Sequence, residues 1–125
     1  MDDKYEKLPI FKDAHLLVLQ VYKLTKKFPT EEKFGIISQL RRSSSSIVAS
    51  IVEGNARGYR KEFINFLLIA TGSLEETKYF LLLSRDLGYV TTAEYTDSHK
   101  LTENVGRQLR GLIKYLRSNN NVKSL

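Results

Sequence analysis

The chain has no cysteine and no tryptophan among its 125 residues, and it has only two prolines. The lack of cysteine excludes a disulfide framework and thiolate metal sites, and it fits a reducing compartment. No uninterrupted apolar run approaches the length of a membrane span. Five of the first seven residues are charged, three of them acidic, whereas a secretory signal begins with basic residues and continues with apolar ones. We therefore expect a cytoplasmic protein that is not bound to a membrane.

The spacing of apolar residues predicts helices and no strands. Pro9 and Pro29 both stand where a helix would begin or end, and no segment keeps the alternation of apolar and polar residues that is typical of a strand. Apolar residues instead recur at helical intervals in four segments. The predicted helices cover about 10–27, 30 to 52 or 53, 60–87 and 93–117.

The residues between the predicted helices indicate caps and turns. Thr30 is expected to cap the second helix, and Thr91 or Thr92 the fourth. The segment 54–58, Gly-Asn-Ala-Arg-Gly, tolerates left-handed backbone geometry and is predicted to form the turn into the third helix. Gly88 is predicted to end that helix.

Short connections favour antiparallel neighbours, so the predicted fold class is all-α, an antiparallel up-down-up-down four-helix bundle. One domain is expected over 1–125. It would have a flexible N-terminal arm over about 1–9 and a polar C-terminal tail over about 118–125.

Small side chains run through the apolar spacing of the second predicted helix. Small side chains at helical spacing allow another backbone to come close, so this helix is predicted to pack tightly. The small residues are Ser43, Ser44, Ser46, Ala49 and Ser50.

The third predicted helix is apolar around most of its circumference, over 63–70 and again over 79–83. A helix of this kind requires burial on several sides, whereas each helix of a lone bundle keeps one face in water. We therefore predict that the protein forms a homo-oligomer. The predicted interface residues are Phe63, Phe66, Leu67 and Phe80.

The sequence offers no recognisable catalytic or metal site. Carboxylate-bridged metal pairs in helical bundles require a Glu three residues before a His on two helices. The residues three positions before His15 and His99 are Lys12 and Thr96, so no metal or cofactor is expected. The serine run 43–46 has no base nearby in the sequence. We expect the protein not to be an enzyme, with a hydrolytic enzyme as the minority alternative.

Glu53 lies in the last turn of the second predicted helix, where its carboxylate faces the negative end of the helix dipole. It therefore requires a basic partner. Arg57, one turn further on, is the expected partner, with Arg41, Arg42 or a basic group of another subunit as alternatives. A structural ion pair is preferred to a catalytic acid at this position.

The charge pattern indicates a polyanion as a partner. There are 20 basic and 14 acidic side chains, which gives a net charge of +6. Four cations on the fourth helix follow steps of three, four and three and share one face, as in a stripe that follows nucleic-acid phosphates. They are Arg107, Arg110, Lys114 and Arg117.

The alternative to this interpretation is a solvated face. Such a basic face also complements the C-terminus of its own helix, with Glu103 as an ion-pair partner of Arg107. Two further basic clusters add to the positive charge, one with Lys23, Lys26 and Lys27 on the first helix. The other lies at the turn after the second helix, with Arg57, Arg60 and Lys61.

Several motifs are spread over nearly the whole chain. They are Phe28-Pro29-x-x-Glu32-x-Phe34-Gly35, Gln39-Leu40-Arg41-Arg42, Ile51-x-Glu53-Gly54, Ala70-x-Gly72-Ser73-Leu74-x-Glu76 and Leu87-Gly88-Tyr89. Together they resemble the four-helix bundle proteins encoded in intervening sequences of bacterial large-subunit ribosomal RNA genes. They also resemble the relatives that accompany reverse transcriptases of diversity-generating retroelements. The family pattern usually reads Asn-Ile-Ala-Glu-Gly near the end of the second helix, where this chain has Ser50 and Val52.

The resemblance implies an antiparallel bundle that assembles into a ring-like homopentamer, without an established catalytic activity. For the retroelement relatives it implies binding of nucleic acid and of a reverse transcriptase through a basic surface. The leading hypothesis is therefore a non-catalytic homo-oligomer that binds RNA or DNA, with RNA favoured, through the four cations of the fourth helix. The competing hypothesis is a protein-interaction scaffold whose charge serves only solubility.

Overall fold

A computed structural model describes residues 4–118. Its four α-helices are α1 (Pro9–Thr25), α2 (Ile36–Arg57), α3 (Arg60–Asp86) and α4 (Thr92–Ser118), and short 3-10 helices cover Lys4–Lys7 and Thr30–Glu32. No strand occurs in the described part of the chain. Each helix packs against the next, and α4 packs against α1, whereas no Cα atom of α1 lies within 8 Å of one in α3. This arrangement confirms the predicted all-α four-helix bundle.

The core lies on the bundle axis and takes apolar side chains from all four helices. Burying one such Leu or Ile side chain contributes about 1.5–3 kcal/mol, so the shared core is the main stabilising feature of the fold. Core residues with no exposed surface include Leu17, Val21, Leu40, Ile47, Ile51, Leu67, Val105 and Leu109. Among residues 4–118, no helix is both apolar enough and long enough to cross a bilayer.

The start of α2 differs from the prediction. Thr30 begins a short 3-10 helix that ends at Glu32, and α2 itself begins only at Ile36. The backbone N–H of Ile36 donates to Oε1 of Glu32 at 3.3 Å, so a side chain from the preceding turn satisfies one free donor of the helix end. Gly35 separates the two helices.

The end of α2 also differs, because Gly54 lies inside the helix. α2 continues to Arg57, and only Gly58 adopts the left-handed conformation, with φ of 79°. The prediction of a turn beginning at Gly54 was wrong. A Cβ added at Gly54 would lie 2.6 Å from the Cβ of Phe66, so the missing side chain allows α3 to approach α2.

Gly88 ends α3 as predicted. Its φ is 80°, and the helix closes with two backbone hydrogen bonds. The N–H of Tyr89 donates to the Ser84 carbonyl at 2.8 Å, and the N–H of Gly88 donates to the Arg85 carbonyl at 3.0 Å. This pair of bonds is the Schellman motif, which satisfies carbonyls that the helix leaves free.

The contact between α2 and α3 is the most extensive in the bundle. The hydroxyl oxygens of Ser43 and Thr77 are 2.8 Å apart, and those of Ser46 and Ser73 are 2.9 Å apart. Hydroxyls at this distance satisfy each other while their short side chains keep the helices close. Ala49 is exposed and does not belong to this contact.

The four predicted interface residues on α3 divide into two pairs. Phe63 is 5% exposed and Leu67 0%, so both lie in the core of a single chain and are not available to a second copy. Phe66 and Phe80 are half-buried. Because α3 is apolar around most of its circumference, the sequence did not show which face turns inward. The large apolar side chains that α3 does expose are Leu68, Ile69 and Tyr79.

Part of the predicted N-terminal arm is helical and packs against the bundle. The segment Lys4–Lys7 forms a 3-10 helix that contacts α1 and α2, and the ring centroids of Tyr5 and Phe11 are 5.0 Å apart. The predicted C-terminal tail lies outside the described residues except for Ser118, which ends α4.

Candidate nucleic-acid interface

The four predicted nucleic-acid-binding residues are exposed on one face of α4. Arg107, Arg110, Lys114 and Arg117 extend over eleven residues of one continuous helix, and the first and last are about 15 Å apart along its axis. Because their spacing follows the helical repeat, the rigid helix alone brings the four charges together.

Three of these cations line a groove between α3 and α4. The groove has a volume of about 560 Å³. Its apolar surface comes from Leu68 of α3 and from Ile113 of α4. The other lining residues are Thr71, Arg110, Lys114, Arg117 and Ser118. The groove therefore combines an apolar floor with a cationic wall along α4.

The cations of α4 are not neutralised by carboxylates of the described chain. Glu103, the expected partner of Arg107, instead contacts Nζ of Lys78 at 3.7 Å and Nε2 of His99 at 3.4 Å. Within residues 4–118, none of the four stripe cations forms an ion pair. The full charge of the stripe is therefore available to an external anion.

The guanidinium of Arg110 lies beside Gly106 of its own helix. A Cβ added at Gly106 would come within 3.1 Å of Nη1 of Arg110 and 3.4 Å of Cδ2 of Leu74 on α3. Gly106 is buried, so it forms part of the seam between α3 and α4 next to the groove.

The other two basic clusters are partly neutralised within the chain. Lys27 of α1 forms an ion pair with Glu94 at the start of α4. Arg57 lies between two carboxylates, with its Nη2 3.0 Å from Oε2 of Glu53 and its Nη1 3.8 Å from Oε1 of Glu62. The predicted pair between Glu53 and Arg57 is thus present. These contacts leave the stripe on α4 as the basic surface with the least internal compensation.

Two shifted pKa values occur near the α1–α2 connection and the start of α4. The hydroxyl of Tyr89 donates to Oε2 of Glu32 at 2.8 Å, and this bond, followed by burial and the carboxylate charge, raises the pKa of Tyr89. Hydrogen bonds from Lys27 and from the backbone of Thr91 lower the pKa of Glu94. Both shifts come from contacts that hold the helices and their connections together.

The described residues show no constellation for metal-dependent chemistry. In residues 4–118, no three side chains among His, Asp and Glu lie close enough together to bind a metal ion. The two histidines stack on aromatic neighbours, His15 on Phe11 and His99 on Tyr95, each with ring centroids 5.8 Å apart.

The sequence indicated the cations of the site but not its apolar floor. Leu68, Thr71 and Ile113 were not recognised as site residues, because their role depends on which side of α3 meets α4. Leu68 lies in an apolar run, and the sequence predicts burial equally for all apolar residues of that run. It is 44% exposed in the structure, while its neighbour Leu67 is buried. Only the packing separates the two.

The site arrangement suits a phosphate-rich ligand. Arg and Lys side chains form charge-assisted hydrogen bonds with phosphate oxygens, and Arg does so in a bidentate geometry. Contacts of this kind position a nucleic acid but carry no sequence information. An apolar floor beside them offers a surface for a base or a ribose.

Comparisons with known proteins agree with the fold. The model of a family described as 23S rRNA-intervening sequence protein matches residues 6–111. A solved crystal structure from Bacteroides thetaiotaomicron, described as a protein with unknown function from the S23 ribosomal protein family, is 29% identical with a TM-score of 0.78. That match covers 84% of this chain and 98% of that chain. A search of the curated proteins gives no match.

Proposed function

Since this chain belongs to the 23S rRNA-intervening sequence protein family, we propose that it is a non-catalytic homo-oligomer that binds nucleic acid through α4, with RNA as the preferred ligand. The proposed contact surface is the groove between α3 and α4 together with Arg107, which is exposed about one turn before Arg110 on α4.

The main support for the proposal is that no carboxylate of the described chain neutralises the cations at this surface. A basic face that served only solubility or its own helix end would tolerate carboxylates nearby. Here the one acidic residue on the face, Glu103, contacts Lys78 and His99. The cations beside the groove have no carboxylate partner in the described chain. Free cations in a row attract a polyanion from a distance and release its counterions on contact.

Self-association supports the same proposal. The exposed apolar side chains Ile69 and Tyr79, which do not line the groove, leave α3 with an uncovered apolar surface that a second copy would bury. Symmetric assembly would repeat the basic groove once per copy, and binding to several grooves at once raises the apparent affinity for a long polyanion.

A binding measurement with matched variants tests the proposal. Arg110→Gln, Lys114→Gln and Arg117→Gln together should weaken binding to a fluorescent single-stranded RNA at least tenfold, about 1.4 kcal/mol. The control neutralises three exposed lysines elsewhere, Lys33, Lys61 and Lys100, and removes the same net charge. If both variants bind equally, net charge and not the groove determines affinity.

Purification without nuclease distinguishes nucleic-acid binding from a scaffold role. The proposal predicts that RNA co-purifies with the wild-type protein and is lost from the groove variant. A stoichiometric partner protein without nucleic acid would instead support the scaffold.

A further inference from the structure

The groove between α3 and α4 has two walls of different chemistry. The α4 wall carries the groove cations, which are Arg110, Lys114 and Arg117. The α3 wall consists of Leu68, which is 44% exposed, and Thr71. Phosphate oxygens pair with the α4 wall, whereas an apolar surface matches the α3 wall. A ligand that covers both walls therefore combines an anionic group with an apolar one.

The hydroxyl groups of the groove are already engaged within the chain. Oγ1 of Thr71 donates to the carbonyl of Leu67 at 2.9 Å. Oγ of Ser118 donates to the carbonyl of Tyr115 at 3.0 Å. The remaining side-chain donors that line the groove belong to the groove cations. With these on phosphates, the α3 wall has no donor for the hydrogen-bonding edge of a base, and it suits the flat face of a base.

Leu68 lies beside the cations along the length of the groove. An added Cβ at Gly106 of α4 would be 3.4 Å from Cδ2 of Leu74 on α3, so these two residues are neighbours. Leu68 precedes Leu74 by six residues, about 9 Å along α3. Because α4 runs antiparallel, Arg110 and Lys114 lie about 6 and 12 Å from Gly106 in the same direction. The apolar side chain thus stands between two cations, where one nucleotide can touch both walls.

The size of the groove also suits a nucleotide. Its volume of about 560 Å³ falls within the range of about 300–1,000 Å³ that is typical of sites for small molecules. A double helix is too wide to enter a space of this size and would rest on its rim. An unpaired base can enter while its phosphate stays at the α4 wall.

An RNA duplex presents the wrong surface to the α3 wall. Its bases are paired and stacked inside, and its accessible minor groove displays 2′-hydroxyls and polar base edges. Leu68 would cover such groups without forming a hydrogen bond, which costs free energy. The face of an unpaired base avoids this cost. The cations alone do not exclude a duplex, since its phosphates are more densely spaced than those of a single strand.

We infer that the groove selects unpaired RNA, with one base against Leu68 and the adjoining phosphates bound by the groove cations. The inference rests on the proposed nucleic-acid binding and names the form of RNA that this site accepts. Since no donor is left to read a base edge, the selection is for strandedness and not for sequence. The ligand is a loop, a bulge or a single-stranded end.

One RNA strand, alone and annealed to its complement, tests the selectivity. A strand without self-complementarity should bind the wild-type protein about tenfold more tightly alone than in the duplex, at one salt concentration. Attraction by net charge alone gives the opposite order, because the duplex carries more phosphates over the same length. Equal affinities, or a preference for the duplex, would overturn the inference and leave the RNA-binding surface standing.

Two substitutions of Leu68 test the contact with the base. Leu68→Asn should weaken binding of the single strand about fivefold, and Leu68→Phe should strengthen it, because an aromatic ring stacks on a base. Neither should change the salt dependence, because no phosphate contact is altered. Leu19→Asn on α1 is the matched control, since Leu19 is 52% exposed and lies outside the groove. Circular dichroism verifies that each variant is folded.

Inorganic polyphosphate separates the base contact from the phosphate contacts. It carries negative charge without a base, so it should bind the wild type and Leu68→Asn equally. Weaker polyphosphate binding by Leu68→Asn would overturn the inference. So would a Leu68→Asn protein that binds the single strand as tightly as Leu19→Asn does. A wild type that binds neither form of RNA removes the proposed function together with the inference.

Discussion

Gly54 shows how a single missing side chain sets the distance between two helices. Gly54→Ala would place a methyl group 2.6 Å from Cβ of Phe66 and 3.1 Å from Cδ1 of Phe63. We expect this change to lower the free energy of unfolding by about 1–3 kcal/mol, because α2 and α3 must move apart. Urea unfolding followed by circular dichroism measures the difference.

A second glycine provides the matched control for this prediction. Gly111 lies inside α4, is exposed and has no atom within 4 Å of an added Cβ. Gly111→Ala should therefore raise the free energy of unfolding by about 0.5–1 kcal/mol through helix propensity alone. If Gly54→Ala were stabilising by the same amount, Gly54 would have no packing role.

Gly54 also marks a limit of prediction from sequence. Because Asn55 and Gly58 follow it closely, the segment from Gly54 to Gly58 was predicted to be a turn. A glycine occurs either where the backbone adopts a positive φ or where a neighbouring helix comes close. The local sequence does not distinguish these two uses. At Gly58 and Gly88, where φ is positive, the conformational interpretation was right. At Gly54 the deciding residue, Phe66, lies on another helix.

At the scale of the element, the first turn of α4 is held by a reciprocal cap. The N–H of Glu94 donates to Oγ1 of Thr91 at 3.1 Å, and the N–H of Thr91 donates to Oε1 of Glu94 at 2.9 Å. This is a capping box. Thr91→Ala should lower the free energy of unfolding by about 1 kcal/mol, measured in urea. Thr92→Ala, which leaves the cap in place, is the control and should cost less.

The same element predicts a pH dependence. The pKa of Glu94 is held below its ordinary value of 4.5, first by the hydrogen bond from Lys27. Because the folded-state pKa is the lower one, the stabilisation by Glu94 is complete above about pH 4.5 and is lost as pH falls through the lowered value. Glu94→Gln should therefore destabilise the protein at pH 7, and the difference from wild type should shrink towards about pH 3. A difference that grows on acidification would contradict this assignment.

Helical periodicity predicted the positions of the helices better than it predicted which side of each helix is buried. The four helices, the end of α3 at Gly88 and a threonine cap on α4 all depend on residues close in sequence. The structure confirms them and selects Thr91 of the two candidate caps, Thr91 and Thr92. Which face of α3 turns inward depends on α2 and α4. The apolar stretch around Phe63 and Leu67 therefore gave no indication that Leu68 lines a groove.

At the scale of the whole molecule, three features of the structure support the proposed function. A single core holds four helices, two opposite helices expose apolar faces, and the fourth helix exposes cations without carboxylate partners in the described chain. The first feature stabilises the fold, and the second includes the surface that the proposed self-association would bury. The third provides the surface on which the proposed RNA binding depends.

The salt dependence of RNA binding tests this account most directly. Each phosphate neutralised on a single strand contributes about −0.7 to the slope of the logarithm of the binding constant against the logarithm of salt concentration. Engagement of Arg107, Arg110, Lys114 and Arg117 predicts a slope of about −3 per subunit, which should fall close to zero when all four are replaced by Gln. The same slope for the wild type and the variant, or no binding by either, would contradict it.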